Sequence, residues 1–140
     1  MRIADVGAVV EIEREAFTSP WRATTFHALL ERPTAELWVL EEAGGEIVGY
    51  AVVWCILDQG EIANLAVAEE HRGRGLGALL LQEMLGVATR RGVKSLYLEV
   101  RISNDPARAL YERFGFRQVG RRADYYDAPR EDALVMMKRL

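Results

Sequence analysis

Cysteine and long apolar runs are almost absent from this chain. Cys55 is the single cysteine among 140 residues, so no disulfide can form within the chain, and a reducing compartment suits it. The N-terminal stretch MRIADVGAVVEIE carries charged residues from its start and contains no long apolar run. The sequence therefore predicts neither a signal peptide nor a membrane span, and the cytoplasm is the expected location.

An excess of basic residues is absent as well. The 18 lysine and arginine residues face 21 aspartate and glutamate residues, and this net charge of −3 argues against a protein that coats nucleic acid. A chain of 140 residues can bury one core, but it is too short for a dinucleotide domain joined to a substrate domain. No repeat, linker or low-complexity segment divides the sequence, so we expect one domain over residues 1–140.

The periodicity of apolar residues predicts both helices and strands. Helices are expected over residues 5–16, 23–32 and 75–91, and a fourth should begin with Asp105 as its cap and Pro106 at its first position. Gly44-Gly45 indicates a hairpin between two strands within residues 35–57. The remaining strands are expected over residues 61–67, 95–100, 117–122 and 133–138.

This order of elements predicts an α/β fold. The mixed central sheet should have about six to seven strands with helices on both faces. The β-α-β unit in the middle of the chain should pair its two strands in parallel, and the first strands should pair antiparallel. Tyr125 and Tyr126 should lie between the last two strands.

A glycine-rich loop precedes the clearest predicted helix. The segment HRGRGLGALL has glycines at alternate positions and two arginines among them. Backbone N–H groups at such a helix start point toward one spot, the helix dipole favours an anion there, and glycine permits close approach. The alternative is a glycine-softened helix start with solvated arginines. We favour a phosphate site, with the candidate residues Arg72, Gly73, Arg74, Gly75, Leu76, Gly77 and Ala78.

The loop also fits the spacing G-x-G-x-x-G/A of a dinucleotide-binding turn, and Glu99 supplies an acidic residue about 20 positions later. Its surroundings oppose that interpretation. The predicted strand ends at Val67, so the residues AEEHR separate it from the first glycine, and two helices and three strands precede the loop. A Walker loop is excluded because no Lys-Ser/Thr follows the glycines. Another phosphate ligand therefore fits better than a nicotinamide dinucleotide.

Several segments together resemble a known family. LAVAEEHRGRGLGALLL resembles the acetyl-CoA signature of the GNAT superfamily of N-acetyltransferases, Arg/Gln-x-x-Gly-x-Gly/Ala, which Arg72, Gly75 and Gly77 fill. LYLEVRISNDPARALYERFGF is similar to the superfamily's second conserved block. FTSPW and RRADYYDAPREDALVMMKRL most resemble the bacterial ribosomal-protein alanine N-acetyltransferases. The family usually has a full strand before its first helix, whereas here only Arg2 and Ile3 could supply one.

The resemblance implies the GNAT fold, acetyl-CoA as acetyl donor, and two catalytic residues. Strand alternation places Glu99 on one face with Ser95 and Tyr97, and the matching family residue is the general base, acting here through a water. Without the resemblance, an exposed strand-end carboxylate would be the simpler interpretation. Tyr111 matches the acid that protonates the coenzyme A thiolate, although its helical spacing fits a core tyrosine equally well.

Other roles also follow from the resemblance. The backbone of Leu65, Ala66 and Val67 should pair with the pantetheine arm, because the strand splays from its neighbour, and one amide could donate to the oxyanion. Asn104 either binds pantetheine or caps a helix. Tyr125 and Tyr126 form either a lid on the acceptor peptide or an aromatic plug.

Two further residue types carry no predicted chemistry. His27 and His71 have no ligand-spaced partners in the sequence, so we predict no metal. Cys55 lies in an apolar strand pattern and is expected to be a buried strand residue, since direct acetyl transfer needs no cysteine nucleophile.

The expected function is transfer of acetyl from acetyl-CoA to a protein α-amino group in a ternary complex. In the family this group is the N-terminal alanine of small-subunit ribosomal protein 18, and an acidic protein suits a basic ribosomal peptide. No direct nucleic-acid or membrane partner is expected. Acetylation of lysine or small amines, or a non-catalytic acyl-CoA-binding sensor, are the alternatives; the pair Glu99 and Tyr111 argues against the sensor.

Overall fold

A computed structural model describes all 140 residues and contains one six-stranded mixed sheet. Short 3₁₀ helices occupy Ile3–Asp5 and Glu69–His71. The four α-helices are α1 (Val6–Ala16), α2 (Ala23–Leu30), α3 (Leu76–Arg90) and α4 (Asp105–Arg113). The strands are β1 (Ala35–Glu41), β2 (Ile47–Ile56), β3 (Gln59–Val67), β4 (Ser95–Arg101), β5 (Arg117–Tyr126) and β6 (Glu131–Arg139).

The strands are arranged in the order β1-β2-β3-β4-β6-β5. Only β3 and β4 pair in parallel, on either side of the crossover through α3, and every other neighbouring pair is antiparallel. This topology confirms the predicted α/β class, the mixed sheet and the central β-α-β unit. None of the helices has both the length and the hydropathy needed to cross a lipid bilayer.

Helices cover both faces of the sheet, as predicted, and each face has its own core. On one face α1 and α2 pack against the first strands, with Val9, Phe26 and Tyr50 fully buried. On the other face α3 and α4 cover β2, β3, β4 and β6, with Leu81 and Leu96 fully buried. The burial of β4 alternates strictly along its length, so its two faces belong to different layers.

The parallel pairing between β3 and β4 is short, and its end creates an opening in the sheet. The register runs only from Gln59↔Ser95 to Ile62↔Leu98, so residues 63–67 of β3 and 99–101 of β4 do not pair with each other. A bulge interrupts the pairing of β2 with β3 between Val52 and Val53, at the same level. Bulges bend and twist a strand, which accounts for the separation of β3 from β4 at this point.

Residues 2 and 3, which alone could have supplied a strand before α1, form none; Ile3 instead begins a 3₁₀ helix. Two local predictions were wrong. The cap of α4 is Asn104, whose side chain accepts a hydrogen bond from the Ala107 N–H at 3.3 Å, whereas Asp105 is the first helical residue. Asn and Asp cap helices about equally well, so the sequence alone could not show which of these two adjacent residues caps α4. Tyr125 and Tyr126 end β5 and do not lie in a turn.

Candidate active site

A cleft of about 640 Å³ occupies the opening between β3 and β4. The loop 17–22 between α1 and α2, the start of α4 and the end of β5 border it. It brings together six of the predicted site residues, which are far apart in the sequence: Leu65, Glu99, Asn104, Tyr111, Tyr125 and Tyr126. Ala66, Val67 and the glycine-rich loop do not line this cleft; they lie further along, between the end of β3 and the start of α3.

Glu99 lies at the point where the two strands separate. Its side chain is 16% exposed, and its Oε1 atom lies 3.2 Å from Nε of Arg122 on β5. The other oxygen, Oε2, is buried and has no hydrogen-bond partner. Buried polar atoms in proteins are nearly always paired, so an unpartnered carboxylate oxygen in a cleft indicates a place for a ligand or water donor.

A second cavity of about 510 Å³ adjoins the cleft and shares Glu99 and Glu61 with it. Burial raises the pKa of Glu61, and the neighbouring Glu99 carboxylate raises it further. Arg122 also lines this second cavity and is the cation that opposes both carboxylates. The region around Glu99 is therefore rich in negative charge.

Tyr111 projects from α4 into the same cleft. It is 8% exposed, and its ring packs edge-on against Phe116 at 5.8 Å between centroids. Burial raises the pKa of its hydroxyl to about 12. The side chain thus belongs both to the core and to the cleft, and the hydroxyl keeps its proton throughout the neutral range.

The glycine-rich loop adopts a conformation that requires glycine. Gly73 and Gly75 have φ angles of +81° and +78°, and Gly75 is the left-handed cap of α3. L-residues rarely adopt this conformation. No side chain caps this helix start, so the first amides of α3, including those of Leu76 and Gly77, can bind an anion. Ala78 follows them in the first turn.

The two loop arginines are placed differently. Nε of Arg72 donates a hydrogen bond to the Val67 carbonyl at 3.0 Å, which ties the loop to the end of β3. Nη1 of Arg74 lies 3.3 Å from Nδ1 of His71 and 3.5 Å from Oε1 of Glu42, on the β1–β2 hairpin. Part of the Arg74 charge is therefore offset by this carboxylate.

His71 has neighbours in the fold that its spacing in the sequence did not indicate. Possible ligand atoms of His71, Glu42 and Glu46 lie within 4.8 Å of one another. The hairpin between β1 and β2 brings these glutamates to His71, which sequence spacing could not indicate. The Arg74 guanidinium lies in the same group, and its positive charge opposes a bound cation. The absence of a metal stays a prediction.

Arg101 joins two borders of the cleft. Its Nη2 atom donates hydrogen bonds at 3.0 Å to the Thr18 hydroxyl and to the Asp127 carbonyl. Its guanidinium also lies 4.4 Å from the centre of the Tyr126 ring, which packs edge-on against Tyr125. Burial raises the pKa of both tyrosines, that of Tyr126 to about 12. The Glu99 carboxylate adds to the effect, at Tyr126 through its charge and at Tyr125 also through the close approach of the hydroxyl to the carboxylate, although this approach does not give Oε2 a hydrogen bond of normal geometry.

The sequence analysis missed Glu13, Glu61 and Arg101, which line the cleft, and Arg122, which lines the adjoining cavity. Arg101 could have been found, because strand alternation places it on the same face as Glu99. Glu13 also gave a signal, since a charged residue on the apolar stripe of a helix is rarely buried without partners. Glu61 and Arg122 approach Glu99 only through the sheet order, for which the sequence offered no signal.

The sequence profile of the acetyltransferase (GNAT) family matches residues 6–116, which include β3, the glycine-rich loop and β4. The chain belongs to the acetyltransferase (GNAT) family. Acetyl-CoA is the acetyl donor of GNAT enzymes. Two features suit this donor: a strand edge without a partner, and an uncapped helix start beside it.

Relatives of this GNAT acetyltransferase are similar over nearly their whole length. A Bacillus subtilis protein, provisionally named as a ribosomal protein bS18-alanine N-acetyltransferase, is 42% identical over 97% of this chain and 90% of its own. The Escherichia coli (strain K12) protein of that name is 33% identical over 97% of this chain and 92% of its own. A crystal structure of the E. coli ribosomal-protein-S18-alanine N-acetyltransferase superposes with a TM-score of 0.91 at 33% identity, covering 99% of this chain and 90% of that one.

Proposed function

We propose that this acetyltransferase transfers the acetyl group of acetyl-CoA to the N-terminal α-amino group of a protein. The observation that carries the proposal is the unpartnered Oε2 of Glu99, buried in the cleft where β3 and β4 separate. An incoming amine, or a water that relays its proton, would supply the missing donor. We infer the terminal alanine of ribosomal protein bS18 as acceptor, because the relatives bear that name.

The donor binds along β3 in this proposal. Beyond Ile62 the edge of β3 no longer pairs with β4, so the backbone groups of Leu65, Ala66 and Val67 that face this edge pair with the pantetheine arm as an added strand would. The amides at the start of α3 hold the pyrophosphate, and Arg72 adds positive charge beside them. Asn104 uses its side-chain oxygen as the cap of α4, which leaves its NH₂ group for the donor.

The transfer needs a neutral amine, because a free α-amino group has a pKa of about 8 and is largely protonated at neutral pH. Glu99 accepts the proton through a water, and the amine nitrogen attacks the thioester carbon. A free backbone amide of β3 donates to the oxyanion of the tetrahedral intermediate. The N–C bond forms, and the nitrogen of the tetrahedral intermediate releases its second proton to solvent. The C–S bond then breaks, and the Tyr111 hydroxyl protonates the departing thiolate; solvent returns a proton to Tyr111.

The acceptor enters between loop 17–22 and the end of β5, so that Tyr125 and Tyr126 cover it. Acidic groups predominate there, since Glu61, Glu99 and Asp127 line the same cleft. Opposite charge favours the approach of a basic ribosomal peptide. The reaction is placed in the cytoplasm, where ribosomal proteins are made, and it involves neither a nucleic acid nor a membrane.

Peptide acetylation followed by mass spectrometry tests the proposal. A peptide with a free N-terminal alanine and an internal lysine should gain one acetyl group, on its α-amine. The same peptide with a blocked N-terminus is the matched control and should remain unmodified. Acetylation of the blocked peptide at lysine would identify a lysine acetyltransferase instead. In cells that lack this protein, bS18 should carry a free N-terminal alanine.

A further inference from the structure

A second buried carboxylate lies at the cleft, and the reaction described above does not use it. Glu13 on α1 is only 1% exposed, yet it lines the cleft. Its Oε1 accepts hydrogen bonds from the Tyr50 hydroxyl and, at 2.8 Å, from the Asn64 amide. Its Oε2 accepts one from the backbone N–H of Trp21 at 2.8 Å. Three donors offset much of the cost of burying a carboxylate, so losing one of them would be costly.

These hydrogen bonds connect two borders of the cleft. Asn64 belongs to the part of β3 that no longer pairs with β4. Trp21 lies in loop 17–22, on the side where the acceptor enters. Aromatic packing connects the same loop and sheet a second time. Trp21 packs edge-on against Phe26, and Phe26 packs edge-on against Tyr50, at centroid distances of 5.6 and 5.7 Å. Glu13 thus closes a ring of contacts between the loop and the sheet.

The two oxygens of Glu13 bind different borders of the cleft. Oε1 contacts only donors from the sheet, and Oε2 contacts only the loop. Donors from the protein already bind both oxygens of the Glu13 carboxylate. Glu99 differs, since one of its oxygens has no partner. The geometry therefore suits Glu13 for holding structure and Glu99 for proton transfer.

We propose that Glu13 is a positioning residue that holds loop 17–22 at a fixed distance from the splayed part of β3. This proposal rests on the proposed function, in which the acceptor passes along this loop and the donor lies along β3. Glu13 thereby sets the distance between the acceptor amine and the thioester. Small errors in such alignment cost rate, because much of enzymatic catalysis comes from orientation.

The substitution Glu13→Gln separates the two contacts. If the amide oxygen stays toward Tyr50 and Asn64, the NH₂ group faces the Trp21 N–H, donor against donor, and the loop is released. We expect the KM for the alanine peptide to rise about tenfold, with the Kd for acetyl-CoA within about twofold of wild type. Hydrogen exchange at the Trp21 amide should be about tenfold faster. Glu13→Asp, whose arm is one methylene shorter, should act in the same direction.

Val9→Ala is the matched control. Val9 is fully buried on the same helix, so its truncation should lower Tm without changing the peptide KM or the exchange of Trp21. If E13Q and V9A behave alike, or if a folded E13Q or E13D keeps the wild-type peptide KM, the proposal is wrong. E13D decides the question should E13Q fail to fold. The exchange measurement needs no acceptor, so it tests the contact even if the wild-type protein does not acetylate the alanine peptide.

Discussion

Arg101 at the end of β4 donates a hydrogen bond to the Thr18 hydroxyl in the loop after α1, at 3.0 Å. These residues are separated by 83 positions in the sequence. The same guanidinium contacts the Asp127 and Pro129 carbonyls and Glu131, so one side chain connects loop 17–22 with the β5–β6 hairpin. Both segments border the side of the cleft assigned to the acceptor.

Loss of this connection should weaken acceptor binding. Arg101→Gln removes the charge and cannot contact both segments, so we expect the peptide KM to rise about five- to tenfold with acetyl-CoA binding unchanged. Arg117→Gln, at the exposed start of β5, is the control and should leave both values unaltered. Steady-state kinetics with the peptide and acetyl-CoA varied separately distinguishes an effect on the acceptor from an effect on the donor. An equal loss of acetyl-CoA affinity in R101Q would contradict this assignment.

Glu99 is predicted to be the general base. Glu99→Gln keeps the shape and removes the proton acceptor, so kcat should fall about 10²- to 10⁴-fold while acetyl-CoA binding barely changes. Glu61→Gln is the matched control, because Glu61 lines the same two cavities. The kcat of E61Q should fall by less than about tenfold. A larger loss in E61Q than in E99Q would transfer the role of base to Glu61.

Tyr111→Phe separates packing from catalysis at one position. The ring keeps its edge-on contact with Phe116, so the free energy of unfolding should change by no more than about 1 kcal/mol. Turnover should nevertheless collapse, because the thiolate would leave without a proton. Urea denaturation and kcat are the two measurements. Full activity in the variant would leave Tyr111 as a packing residue with solvent as the proton donor.

The raised pKa of Tyr111, about 12 in the folded protein against an ordinary value of 10.0, also predicts two pH effects. The hydroxyl keeps its proton at pH 9 to 10, so kcat should show no alkaline loss from Tyr111 in that range. Above pH 10 the unfolded chain loses this proton while the folded protein retains it, so stability should fall as the pH rises from about 10 to 12. In Y111F this fall should be smaller.

The glycine-rich loop should bind acetyl-CoA and no nicotinamide dinucleotide. A hundredfold excess over Kd should stabilise the fold by about 2.7 kcal/mol, which a thermal-shift titration detects. A shift with the dinucleotide and none with acetyl-CoA would overturn this assignment.

The left-handed conformation of Gly75 allows a sharper test. Gly75→Ala should cost about 1–2 kcal/mol of stability, because φ is +78°, and should weaken acetyl-CoA binding at least about tenfold as the amides of α3 lose their alignment. The control is Gly86→Ala within the same helix, where a methyl group would meet only the end of the Arg90 side chain. That change should stabilise the helix by up to about 1 kcal/mol and leave binding intact. Equal binding by both variants would argue against a role for the loop in holding the donor.

Local features of the sequence were sufficient to predict the elements and part of the cleft. The apolar period of α3, the glycines at its start and the alternation along β4 are set by neighbours within a few residues, so they can be read without the fold. The resemblance then selected Glu99, Asn104 and Tyr111, which the structure brings into one cleft. Asn104 shows the limit of local information, because two adjacent residues could each have capped α4.

The tertiary structure alone decided which distant groups meet. Glu13 contacts Asn64 across 51 positions, and Arg101 contacts Thr18 across 83. The Glu99–Arg122 contact likewise depends on β6 being inserted between β4 and β5. Such contacts follow from strand order, the bulge beside Val52 and the short parallel register, which result from burying two cores on one twisted sheet. The sequence by itself determined the helices, the strands and the chemical groups available, because those depend on local backbone preferences; the distances between the groups depend on how the whole chain packs.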